Sequence, residues 1–163
     1  IVLRPATVCG MSRRLRLDVV GNIFASQAFF DQEITLHGGN QFRPQLNMRD
    51  MLSCYAFFIK NEIKNGCTVY NIGEDNYPLN KLAELVIENA PFKVNVITKE
   101  VFDERSYRID SSKIFRETEF RLNFNIVDSF NELFSYFKIE NQLNWRDKKF
   151  QNVALLKEKL NQI

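Results

Sequence analysis

Short apolar runs alternate with longer segments of helical spacing along this chain, and that alternation restricts it to an α/β or α+β fold. Ile1 to Val8 is a β-branched run closing at Cys9-Gly10, which predicts one buried strand. From Asp18 to Phe30 the apolar residues Val19, Val20, Ile23, Phe24, Ala28, Phe29 and Phe30 recur at helical intervals, and Asp31 begins a break. Ile34 to His37 reads as a short strand closed by the Gly38-Gly39-Asn40 turn, and Phe42 to Met48 as the next strand. A long amphipathic helix is expected over Asp50 to Lys64, stopping at Asn65-Gly66. Cys67 to Ile72 is a strand, Pro78 opens a helix that runs to Ala90, and Val94 to Thr98 is another strand. Asp110, Ser111 and Ser112 offer N-caps to a helix over Lys113 to Thr118. Val127 to Tyr136 is helical, and the polar stretch from Glu140 has helical spacing at Val153, Leu155, Leu156 and Leu160.

The 163 residues make one domain's worth of chain, with 45% hydrophobic and 26% charged residues. Fifteen Phe suit a core or an apolar interface. A net charge of +2 gives no reason to expect nucleic acid or an anionic membrane as partner. No apolar run approaches the roughly 20 residues a membrane helix needs. Cys9, Cys54 and Cys67 are too few and too widely spaced for a zinc site or a disulfide framework, so free thiols in a reducing cytoplasm are expected. The chain begins at Ile within a strand pattern, which reads as a cut chain.

Dinucleotide-fold chemistry requires a Gly-rich turn, because only Gly lets the backbone approach a pyrophosphate. The glycines at 10, 21, 38, 39, 66 and 73 do not give that spacing. Tyr77 and Lys81 stand four apart, as a catalytic pair on one helix face would, but Pro78 belongs in a first helical turn and separates them. The sole His, His37, has no carboxylate or nucleophile partner in its segment, so a contact role is expected rather than acid–base work. Asp50 and Asp110 both begin helices and read as caps. Arg43 follows the Gly-Gly turn on a strand; a planar guanidinium offers a fork of donors that fits phosphate oxygens. Arg13, Arg14 and Arg16 form a small basic cluster, either beside a phosphate or in solvent. Tyr55-Ala56-Phe57-Phe58 reads as core, or else as cover for an interface.

Four segments carry a family pattern in a fixed order: Ile1–Gly10, Phe42–Asp50, Tyr70–Gly73 and Arg105–Ile114. Together they resemble the C-terminal half of the extended short-chain dehydrogenase/reductases, the NAD-dependent nucleotide-sugar epimerases and dehydratases. The resemblance continues to Asp147–Val153 near the end. It implies an α/β fold over residues 1–163: the last strands of a Rossmann-type parallel sheet plus a small α/β substrate-binding domain, with the NAD-binding half absent. It also implies that Arg43 and Arg105 clamp the diphosphate of a nucleotide sugar, that Asn22 donates to its phosphates, and that Leu36 and His37 pack against its base. Backbone at Pro5 and Val8 would meet NAD. The resemblance puts no catalytic residue and no metal site in this chain. Cys9 stands where the family more often has Tyr, and Asn47 where it often has His. The implied function is the nucleotide-sugar-binding portion of such an enzyme, associated with the missing N-terminal half or with another copy. The alternative is a truncated, non-enzymatic module binding a nucleotide sugar or a protein.

Overall fold

The computed structural model describes residues 1–61, 67–100 and 105–160. The initial apolar run is two strands. β1 (Val2–Pro5) runs parallel to β5 (Val69–Ile72), with Val2 opposite Val69 and Pro5 opposite Ile72. β2 (Thr7–Cys9) runs parallel to β4 (Phe42–Asn47), which pairs antiparallel on its other edge with β6 (Asp75–Pro78). Ala6 is the crossover residue: its N–H donates to Ile72 O at 2.7 Å as the chain leaves one ladder for the other. The expectation of one buried strand is corrected in a second respect, since Ile1 and Val2 are 49% and 44% exposed. β3 (Glu33–His37) and β7 (Asn95–Lys99) make a separate parallel pair.

Helix α1 (Val20–Ser26) continues into a π-helical turn over Gln27–Asp31, and Gln32 ends it in the left-handed region at φ 53°. α2 (Met48–Lys60) is capped by Asn47, whose Oδ1 accepts from Arg49 N at 2.7 Å. The helix stop expected at Asn65-Gly66 lies outside the described residues. Asp50 is no cap. It is fully buried, and its two oxygens accept from the backbone N–H groups of Asn123 (2.9 Å) and Phe124 (3.0 Å). That bond holds the approach to α5 (Ile126–Ile139), which starts with a reciprocal Asn125/Asp128 capping box.

α3 (Leu79–Asn89) begins after Pro78, not at it, because Pro78 ends β6 with extended ψ of 148°. Its first N–H groups are met by the Gly-Gly turn: Leu79 N donates to Gln41 O (3.1 Å) and Asn80 N to Gly39 O (2.9 Å). Gly38 and Gly39 adopt φ of 73° and 153°, which a side chain would strain. α4 (Ser112–Glu117) is preceded by Asp110, whose Oδ1 accepts from Ser112 N at 2.8 Å. A 3₁₀ turn at Lys148–Phe150 leads into α6 (Asn152–Leu160).

The core lies in two parts. One joins α1, α3, α5 and β3 through Phe24, Phe29, Ile34, Leu36, Leu82, Val86, Phe130 and Phe137, closed by Trp145 and Phe150 from the C-terminal stretch. The other packs α2 and α4 on the strands through Leu46, Cys54, Tyr70, Ile72, Ile114 and Phe120. Gly73 lies against this second part: a Cβ there would stand 2.6 Å from Ile109 Cδ1 and 3.1 Å from Ala6 Cβ. Among the described residues no helix is long and apolar enough to cross a membrane.

Candidate functional site

Arg43 is the second residue of β4, and Arg105 lies 62 residues further on. The segment after Arg105 is stitched to the start of β4. Ser106 Oγ accepts from Phe42 N at 3.0 Å, and Tyr107 N donates to Phe42 O at 3.4 Å. Arg43 Nη1 then reaches the carbonyl of Arg105 and that of Phe42 (2.9 Å), and its guanidinium carbon stands 5.9 Å from the Tyr107 ring centre. Both arginines line one cavity of about 590 Å³, together with His37 and Thr35 of β3, Thr7 of β2, Leu79 and Tyr107. Its opposite wall is α1 and the residues just before it, including Asp18, Val19, Ile23 and Gln27. Asp18 is the acidic group of this wall and is paired with Arg16 at 3.0 Å. The cavity is thus cationic on the β side and half apolar on the helix side, a lining that suits an anion attached to a flat organic group.

A second cavity, of about 360 Å³, adjoins the first and shares Thr7 and Val19 with it. Pro5, Val8, Gly10, Ser12, Arg14, Arg16, Asn22 and Met48 complete its lining. Pro5 and Val8 lie at the C-terminal end of β1 and within β2, the strand end at which ligands of open α/β sheets sit. Asn22 is 2% exposed, and its side chain is engaged in bracing the loop after β2. Its Oδ1 accepts from Cys9 Sγ (2.9 Å) and Gly10 N (3.0 Å), and its Nδ2 donates to Arg16 O (2.6 Å). Burial pushes the Cys9 thiol well above its ordinary range, so this sulfur is held protonated.

Of the residues singled out from sequence, His37, Arg43 and Arg105 come together in the larger cavity, and Pro5, Val8 and Asn22 in the smaller one. Leu36 joins neither. The strand alternates, so Thr35 and His37 face the cavity while Leu36 is buried in the core at 6% exposure. The Leu36 side chain therefore packs in the core, and only the strand's backbone is left to meet a ligand at that position. Thr35 was missed, although the two-residue period from His37 points to it. Tyr107, two residues past Arg105, carried no signal of its own.

Tyr77 and Lys81 fall on different elements, β6 and α3. The Tyr77 hydroxyl donates to Glu74 Oε1 at 2.7 Å, and burial with that carboxylate beside it pushes the phenol upward, opposite to activation. Lys81 pairs with Glu84 at 3.1 Å.

No family model matches the chain. Its fold is found in solved structures of nucleotide-sugar enzymes. It superposes on a UDP-glucuronic acid 4-epimerase from Bacillus cereus in complex with UDP-glucuronic acid and NAD, with a TM-score of 0.73 at 18% identity, covering 86% of this chain and 45% of that one. RMD from Pseudomonas aeruginosa complexed with NADPH gives 0.72 at 18% identity over 85% and 48%. A UDP-N-acetylglucosamine 4-epimerase from Bacillus cereus gives 0.68 at 25% identity over 83% and 45%. The chain therefore spans about half the length of the structures it matches. Its mixed α/β architecture is structurally similar to part of the extended short-chain dehydrogenase/reductases, the NAD-dependent nucleotide-sugar epimerases and dehydratases.

Proposed function

We propose that this chain is the sugar-nucleotide-binding, C-terminal half of an NAD-dependent nucleotide-sugar epimerase or dehydratase. The observation that carries the reading is the arrival of Arg43 and Arg105, from β4 and from a segment 62 residues later, in one cavity. Two guanidinium groups match the two phosphates of a nucleoside diphosphate. Thr35, His37, Leu79 and Tyr107 wall the same space and would flank the nucleoside, while the sugar would extend past Thr7 into the smaller cavity. Asn22 fixes the loop that carries Arg14 and Arg16, and its amide has a second N–H that could serve a phosphate.

NAD supplies the hydride chemistry in enzymes of this class. The smaller cavity, at a parallel-strand end, fits a nicotinamide ring against Pro5 and Val8 but not a whole dinucleotide. Pro5 and Val8 would thus form one wall for the reacting ring, and the phosphate-binding glycine turn would come from elsewhere. Among the described residues β1 pairs only with β5, which supports a further α/β unit, or a second copy, completing the sheet, since two-stranded parallel ladders are seldom left uncovered.

Calorimetry across UDP-, dTDP-, GDP- and CDP-sugars tests the reading. Binding of at least one is expected, with Arg43→Ala weakening it about 10- to 100-fold through the loss of a charge-assisted contact. A folded sample that binds none of them overturns it.

A further inference from the structure

The helix wall of the larger cavity is weakly specified by its own sequence. Val19, Val20 and Gly21 open α1, and β-branched residues and Gly are weak helix formers. Val19 at the N-cap supplies no side-chain bond, and the first turn holds no acidic residue. Phe24, Ala25 and Ala28 press the inner face of the helix onto the core. Apolar burial is non-directional, so it does not by itself fix where along its axis the helix sits.

Directional bonds come from far along the chain. At the start of the helix, Leu17 N donates to Phe150 O at 2.9 Å, and Asn152 N donates to Asp18 Oδ2 at 2.8 Å. Asn152 Oδ1 also accepts from Arg14 Nη2 at 3.0 Å. At the other end, Arg146 grips both oxygens of Asp31, the last residue of the π-helical turn, at 3.1 and 2.7 Å. The Trp145 indole N–H donates to the same carboxylate at 3.4 Å. Trp145 and Phe150 enter the same buried cluster as Phe24. Residues 145–152 thus form a strap fastened at both ends of the helix.

Neither Arg146 nor Asn152 lines the cavity, whereas Asp18, Val19, Ile23 and Gln27 of the strapped segment do. We infer that Arg146 and Asn152 are positioning residues: they hold the helix wall of the larger cavity in register against Arg43 and Arg105. The consequence for a ligand rests on the nucleotide-sugar reading above, and the consequence for the helix does not.

Two variants each open one clasp. Arg146→Gln removes the two-pronged grip on Asp31. Asn152→Pro removes the N–H given to Asp18 and the acceptor for Arg14, and Pro suits the first position of α6. Hydrogen exchange followed by NMR on the ligand-free chain reads the effect on the helix. In both variants the amides of Ile23 to Gln27 are expected to exchange about tenfold faster, with those of Phe130 to Phe137 in α5 unchanged. Calorimetry with UDP, dTDP, GDP and CDP reads the effect on the site. Whichever of them binds wild type should bind each variant about fivefold more weakly. Lys81→Gln, which opens an exposed ion pair on α3, should change neither readout. Unchanged exchange in α1, or a rise shared equally by α5, overturns the inference. Faster exchange in α1 with undiminished affinity overturns the role in the site. Failure of all four nucleotides to bind a folded wild type overturns the nucleotide reading, and exchange alone then supports or overturns the strap.

Discussion

Asp50 shows how much one buried side chain does here, because its carboxylate joins the first turn of α2 to the backbone just ahead of α5. Both oxygens accept N–H groups 73 and 74 residues away, so replacing one oxygen by an NH₂ sets donor against donor. Asp50→Asn is expected to cost about 1–3 kcal/mol, read as a lower urea midpoint with an unchanged slope. Nothing local predicted this: a carboxylate just after a strand looks like a cap, and its true partners are distant in sequence. Glu74 gives a second test at the same scale. Burial raises its carboxyl above the ordinary range, offset in part by the Tyr77 hydroxyl bond. Between the ordinary and the raised value the folded state holds more proton than the unfolded chain, so this group's contribution to stability falls as pH rises through that window. As pH rises from the ordinary glutamate value, wild type should lose stability relative to Glu74→Gln, levelling off once the raised value is passed. A difference that does not move with pH, measured by thermal unfolding, would count against the burial argument.

Most elements were legible because a packed helix or strand leaves a period in its apolar residues: α1, β3, β4, α3, β7, α4 and α5 fall within a few residues of their expected places. The failures have specific causes. β6 is Asp-Asn-Tyr-Pro, a polar edge strand ending in Pro, and nothing in that composition announces pairing. The division of the first apolar run depends on which partner each residue meets, which a run of Val, Leu and Ala does not record. Likewise both arginines were visible as residue types, but their meeting depends on Ser106 and Tyr107 bonding to Phe42. Gly73 permits the turn between β5 and β6 by bringing backbone against Ile109 and Ala6. Gly73→Ala is expected to destabilise the fold by about 1–3 kcal/mol through overpacking. Ile109→Val removes the nearest clashing carbon, so in the double variant the two losses should be less than additive. Strict additivity in denaturant unfolding would show that Gly73 serves some other purpose.

At the scale of the whole molecule, α2 is apolar on two sides. Phe57 and Phe58 pack inward against Tyr70 and Phe120, whereas Leu52, Tyr55 and Ile59 are 62%, 46% and 82% exposed. Beside this stripe lies β1, which among the described residues pairs only with β5. The aromatic stretch read from sequence as either core or interface cover is divided by the helical period, with Phe57 and Phe58 packed on the core and Tyr55 exposed. Apolar helix faces beside an unpaired strand edge favour association. The isolated chain is expected to form oligomers by light scattering, and Leu52→Glu with Ile59→Glu to shift it toward monomer. A monodisperse wild-type monomer that unfolds cooperatively would overturn this.

Thr7 and Val19 belong to both cavities, so neither chamber can be filled without touching a wall of its neighbour. Any coupling between occupants of the two would be reciprocal, each altering the other's affinity by the same factor.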